Sequence, residues 1–211
     1  MPDASIVIVI VVLLFSVVVH EVAHGYAAYK LGDPTAKMMG RLTLNPINHI
    51  DPVWTIIIPA FMYVTMGFVF GGAKPVPVNY YNLHKPKRDM AIVAAAGPLS
   101  NLILLILASI IFKVLLNFGF MNNTIHNFLF YMAFINAILM GFNLIPIPPL
   151  DGSKILMGFL THEQADKFEE FSKYGFLVIF GILILGDLTG ISIIGLILRP
   201  VINFAQFIFY L

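Results

Sequence analysis

Sixteen apolar or small residues, Ala4 to Val19, run without a charge into His20-Glu21-Val22-Ala23-His24, and no other feature restricts the possible folds of the chain so tightly. Residues four apart share a helical face. On a continuing helix both imidazoles can therefore bind one ion, with Glu21 beside it to take a proton from a bound water. A random order of the same residues would give this H-E-x-x-H pattern about 0.003 times per chain, so chance does not account for it. A soluble metalloenzyme would carry the motif on a helix with a polar face. Here the preceding residues supply most of the roughly 20 needed to span a bilayer. The motif thus lies in or beside the membrane, where ionisable side chains are costly and mark function. The plainer alternative is a hydrogen-bonded cluster that only packs helices.

Composition agrees with that placement. Of 211 residues, 59% are hydrophobic and only 11% charged, against about 25% charged in soluble domains, and the mean hydropathy is +0.91. The chain reads as an integral membrane protein in a lipid bilayer. A formal charge of +1 provides no basic footprint for nucleic acid. With no cysteine there is no disulfide, thiolate nucleophile or Cys-held metal, so any ion must rest on His, Asp or Glu.

The first apolar run can continue as a helix to about Leu31. It lacks a basic n-region and a small-residue cleavage site, and is read as a mature helix rather than a signal peptide. Further apolar runs cover 53–70, 90–116, 128–145, 171–186 and 191–211. The expected fold is an all-α polytopic membrane protein, a helical bundle of about five to six membrane segments. It forms one integral-membrane domain over 1–211, with its chemistry in about 5–155 and a membrane hairpin over about 171–211. Gly and Pro among alternating apolar residues in MMGRLTLNP and GGAKPVPVN predict short β-hairpins or re-entrant elements between the first helix and the GPLSN helix. HEQADKFEEFSK predicts a short amphipathic helix on the membrane surface. His49, His84 and Lys74 are expected to pack or to contact headgroups, and His126 and His162 to be plain surface residues.

Basic residues orient the chain. Lys30, Lys37 and Arg41 follow the first run, Lys74, Lys85, Lys87 and Arg88 precede Met90, and Lys154, Lys167 and Lys173 follow the 128–145 run, whereas 117–127 has none. The positive-inside rule puts the three basic groups in the cytoplasm and the bare loop outside. A full crossing by 53–70 would set its two basic flanks on opposite sides. That segment is therefore expected to enter the membrane and return, which is allowed where its backbone is buried in protein or lines a wet cavity. A catalytic zinc needs a third protein ligand. Asp151 stands in FNLIPIPPLDG, where three prolines forbid a regular helix and Gly152 permits a turn. An Asp-Gly pair is ordinarily only a turn, but depth adds a constraint. With 53–70 re-entrant, Asp151 returns to the side of His20 and His24; with a full crossing it emerges nearly a bilayer core of about 30 Å away.

HEVAHG in a membrane helix, NPINHIDP and AKPVPVN in the connection, GPLSN in a later helix and N-x-x-P-x-x-P-L-D-G from Asn143 to Gly152 together resemble the site-2 protease family of intramembrane zinc metalloproteases. The likeness covers most of 15–154, and is to a compact prokaryotic member without PDZ or CBS domains. It implies that His20, His24 and Asp151 ligate one Zn2+, that Glu21 is the general base, and that Asn143 and Asn101 position substrate or stabilise the oxyanion. The motif helix is the first span here, whereas many relatives have one before it, a departure that touches the flanking of the substrate entrance and not the metal chemistry.

The function so implied is that of a zinc metalloendopeptidase in the cell membrane. It would hydrolyse peptide bonds in or near the transmembrane helix of a membrane-protein substrate, in regulated intramembrane proteolysis, with the active site toward the cytoplasm. The alternative from another class is a metal-ion transporter or sensor using the same His and Asp cluster. Transport favours ionisable groups strung along a path; here they converge at one depth, with a Glu beside the first His.

Overall fold

The computed structural model describes residues 4–66 and 71–211, so part of the expected re-entrant segment 53–70 lies outside the described residues. Val and Ile are indifferent helix formers in water. Helix α1 (Ala4–Lys30) is nevertheless helical throughout, because a backbone in hydrocarbon has no water to bond and must pair with itself. It ends at a glycine. Gly32 has φ +109°, its N–H meets the Tyr29 carbonyl, and the Asp33 N–H meets the Ala28 carbonyl at 2.9 Å, which satisfies the last helical acceptors. The short α2 (Thr35–Met38) stops in the same manner, with Gly40 at φ +64° and the Arg41 N–H on the Ala36 carbonyl at 2.9 Å.

A π-helical turn over Pro52–Ile57, capped by the Asp51 carboxylate, leads into α3 (Ile58–Met66). The chain that leaves Trp54 is back beside it at Gly72. The Gly72 N–H donates to the Trp54 carbonyl at 3.1 Å and the Thr55 hydroxyl to the Gly72 carbonyl at 2.8 Å.

Among the described residues, four helices are long and apolar enough to cross a membrane: Ile6–Lys30 within α1, α4 (Pro86–Asn117), α5 (Asn123–Asn143) and α9 (Ile193–Tyr210). The expected five to six membrane segments are thus not confirmed as spans among the described residues. Helix α8 (Gly175–Thr189) is apolar, but its 15 residues rise about 22 Å against a core of about 30 Å. The apolar helical stretch Pro52–Met62 is shorter still. Between α5 and α8 lie α6 (Asp151–Phe159) and α7 (His162–Ser172). Helix α7 is the amphipathic helix expected, opened by a reciprocal cap between Thr161 and Gln164 and burying no residue.

The expected hairpins do not form: the described residues contain no β-strand. In 73–79, Pro75 and Pro77 have no N–H to offer a ladder. Three of the other donors are drawn elsewhere, Lys74 to the His49 carbonyl, Val76 to the Glu21 carboxylate and Asn79 to the Asp33 carboxylate.

Helix α4 is the hub, packed on α1, α5, α6 and α9. Fully buried or nearly so, Ala108, Ala133, Ala137 and Ala205 let α4, α5 and α9 approach closely, and Phe112 stacks on Phe209 at 4.3 Å. His126 is not a plain surface residue. It is half-buried with its ring 5.6 Å from Phe112 and 6.1 Å from Phe130, the apolar body of an imidazole filling an aromatic gap. The outer faces remain apolar, with Ile10, Ile103, Ile110 and Leu196 each more than half exposed, as suits lipid contact.

Candidate metal centre

The H-E-x-x-H face of α1 meets α4 at Gly97. A Cβ there would collide with His24 Nε2 and lie 2.6 Å from His20 Cε1, so glycine is what lets α4 close onto the imidazoles. Asp151 arrives as the first residue of α6, after the proline-rich turn. The turn is equally tight, since a Cβ on Gly152 would strike the Leu144 carbonyl and come within 2.5 Å of the Ile145 carbonyl. The result is a triangle of atoms from α1 and α6. His24 Nε2 lies 3.0 Å from His20 Nε2, and Asp151 Oδ2 lies 3.1 Å from each. All three residues are buried.

The chemistry of these donors fits zinc. Tetrahedral ligands about 2.0–2.2 Å from an ion stand about 3.3 Å apart, close to the edges of the triangle. The outer ring nitrogens determine the inner ones. His24 Nδ1 lies 2.7 Å from the Val93 carbonyl, which can only accept, so that nitrogen carries the proton and Nε2 a lone pair. On the other side a relay starts from the Met132 carbonyl. It fixes Asn136 Nδ2 as the donor facing it at 2.7 Å. Asn136 Oδ1 then accepts from Asn101 Nδ2 at 2.7 Å, and Asn101 Oδ1 from His20 Nδ1–H at 2.6 Å. His20 Nε2 is thereby also a lone pair. Two lone pairs and a carboxylate oxygen facing one another at 3 Å repel unless a cation lies among them, and such outer partners are what orient metal-binding histidines.

Of the residues expected from sequence, His20, Glu21, His24, Asp151 and Asn143 line one cavity of about 340 Å³, with Lys154 also at its wall. Glu21 is half-buried, and its Oε2 accepts the Val76 N–H at 2.8 Å. Asn143 spends one amide hydrogen on the Leu139 carbonyl at 3.0 Å. Asn101 is placed differently from expectation. It is fully buried behind His20 with both ends of its amide engaged, by His20 and Asn136, and it is not among the residues that line the cavity. His49 is buried and bonds the Thr43 carbonyl, away from the triangle. Sequence reading passed over Asn136, Ser16 and Gly97. A lone Asn inside the apolar FINAIL stretch was the available sign for Asn136; Ser16, which accepts from Asn136 Nδ2 at 2.8 Å, gave none.

Residues 8–122 and 116–186 match the family described as Peptidase family M50. The chain belongs to this family. The M50 chain is 38% identical over 174 residues to the "Putative zinc metalloprotease YwhC" of Bacillus subtilis, spanning 80% of this chain and 76% of that one. It is 28% identical over 179 residues to the "Putative zinc metalloprotease Rip2" of Mycolicibacterium smegmatis, spanning 84% and 67%. Against the "Zinc metalloprotease MJ0392" of Methanocaldococcus jannaschii it is 28% identical over 170 residues, spanning 80% of this chain and 36% of that one. No solved structure matches it. The M50 chain is a zinc metalloendopeptidase of the site-2 protease type, and with four apolar helices a multi-pass membrane protein. That activity removes the ground for the transporter reading.

Proposed function

We propose that this M50 chain hydrolyses peptide bonds in or near the membrane segment of another protein, with His20, His24 and Asp151 holding zinc and Glu21 as general base. The observation that carries the reading is the ligand triangle opening on the same cavity as Glu21, at the end of sixteen uncharged residues of a helix that can span a bilayer. Bound zinc supplies Lewis acidity and a water of lowered pKa. Glu21 has Oε2 committed to the Val76 N–H, which leaves Oε1 to accept a proton from an attacking water and to return it to the leaving amine. Asn143 has a second amide hydrogen to offer the scissile carbonyl oxygen, and one such donor is worth roughly 2.7–4 kcal/mol where measured.

Helical substrates shield their peptide bonds with internal hydrogen bonds, so the scissile stretch must unwind. Pro75, Val76 and Val78 line the cavity, and segment 73–79 is the element against which an unwound stretch can pair by strand addition. Positive-inside bias supports an active site toward the cytoplasm. The meeting of Trp54 with Gly72 supports a 53–70 segment that returns to the side it entered. The bacterial and archaeal relatives support a prokaryotic source. Regulated intramembrane proteolysis is the setting this chemistry suits.

The test is cleavage of a panel of single-span membrane proteins by the purified protein in liposomes. Cuts in or beside the span are expected, abolished by zinc chelation and by Glu21→Gln. If the zinc-loaded protein cleaves no panel member, or if cuts persist in both controls, the reading fails.

A further inference from the structure

The segment that lines the cavity has almost no regular structure of its own, yet it is tied down at both ends. At one end Arg41, 7% exposed, sends its guanidinium Nη2 to the Lys74 carbonyl at 2.9 Å and toward that of Pro75 at 3.4 Å. The Lys74 N–H is bonded to the His49 carbonyl at 2.9 Å, so Lys74 is gripped on both sides. At the other end Asp33, with no exposed surface, accepts the Asn79 N–H at 2.6 Å and Asn82 Nδ2 at 2.9 Å. Between them stands Val76, whose N–H holds Glu21 Oε2. The two anchoring charges have the same origin, since each directly follows a positive-φ glycine that ends a helix, Gly32 before Asp33 and Gly40 before Arg41. No ion-pair partner is recorded for Arg41 among the described residues, and its charge is spent on backbone carbonyls.

We infer that Arg41 is a positioning residue for the peptidase reaction, one of two clamps that draw 74–79 across the cavity so that Val76 holds the Glu21 carboxylate. This rests on the reading of Glu21 as the general base. A charged hydrogen bond to a carbonyl is stronger than a neutral one, and the one nitrogen Nη2 reaches the carbonyls of both Lys74 and Pro75. Arg41 touches none of the three candidate zinc ligands. Its loss slackens the segment, frees the Val76 N–H to move, and leaves Glu21 without a fixed rotamer, while zinc stays bound.

The test compares wild type, Arg41→Gln, Arg41→Lys and Glu21→Gln for zinc content, deuterium exchange in the peptide covering 73–79, and kcat and KM on the panel protein that wild type cleaves. Arg41→Gln is expected to keep one zinc per chain, to exchange faster in 73–79, and to lose about ten- to a hundredfold in kcat/KM, the range of a lost charge-assisted hydrogen bond, with a fall in kcat as well as a rise in KM. Arg41→Lys should lie between. Unchanged exchange, or raised exchange with unchanged kcat, overturns the inference, as does loss of zinc in step with activity. If Arg41→Gln does not fold, Arg41→Lys carries the same comparison at smaller amplitude. The failure of the underlying reading looks different: Glu21→Gln would turn over like wild type, whatever the exchange of 73–79.

Discussion

Glutamine at position 21 keeps an oxygen to accept the Val76 N–H but cannot take up a proton, so it separates holding from chemistry. Glu21→Gln should lower kcat by at least about a hundredfold, the lower range for a positioned base, with zinc content unchanged by metal analysis. Asp151→Ala has the opposite signature, because it removes a corner of the triangle and exposes the two imidazole lone pairs to each other; zinc per chain should fall well below one along with activity. A third residue tests the frame around the site. Burial pushes the Asp33 carboxyl up, but donors from Thr35, Asn82 and Asn79 outweigh burial and hold it below the usual carboxylate range. A lowered folded value means that Asp33 stabilises above its unfolded pKa of about 3.9, and that this contribution is lost as the pH falls through the folded value. Asp33→Asn should cost about 1.5–3 kcal/mol near neutrality, as for hydrogen bonds to a charged group. Its thermal midpoint should converge on that of wild type below about pH 4. Divergence of the two midpoints on acidification would remove Asp33 from this role. His20, Glu21 and His24 were legible because their relation is local, a matter of helical spacing. The relay from Met132 through Asn136 and Asn101 to His20 was not, because it depends on which faces of α1, α4 and α5 meet.

At the scale of elements, α4 serves the site through one missing side chain. Gly97→Ala inserts a methyl where His24 Nε2 and His20 Cε1 already stand, and neither imidazole can retreat without breaking its bond to Val93 or Asn101. The expected cost is about 1–3 kcal/mol of overpacking, visible as a lower thermal midpoint together with weaker zinc retention in a chelator competition. A normal zinc affinity would show that α4 can shift away as a unit. The long spans could be read from the chain because length and hydropathy alone decide them. The connections could not. Alternating Pro and Val in 73–79 has the period of a strand, but a strand also needs a neighbour to pair with. Here three of the donors that could have paired are taken by the carboxylates of Glu21 and Asp33 and by the His49 carbonyl. Proline rules were more reliable after α5, where three prolines end regular structure and Asp151 opens the next helix.

For the whole molecule, the decisive quantity is depth, and it joins a charge rule to metal geometry. Asp151 can meet His20 and His24 at 3.1 Å only if both sit at one level of the bilayer, and the chain between them must therefore cross an even number of times. Helices α4 and α5 supply two crossings. Another complete crossing between α1 and α4 would make the number odd. Hydropathy argues for such a crossing, since eighteen residues from Val53 to Phe70 would reach about 27 Å as a helix. The hydrogen bond from Gly72, just beyond that stretch, back to Trp54 at its beginning argues against it. The chain has no cysteine, so single cysteines report position without background. Lys37, Lys85 and Asn123 are exposed and suit the purpose. In intact cells treated with a membrane-impermeant thiol reagent, Lys37→Cys and Lys85→Cys should stay unlabelled until the membrane is opened, while Asn123→Cys labels at once. Labelling at 85 but not at 37 would establish a full crossing. The level shared by His20, His24 and Asp151 would then require that α4 or α5 fail to span, which helices of 32 and 21 residues, each long and apolar enough to cross, make the harder alternative.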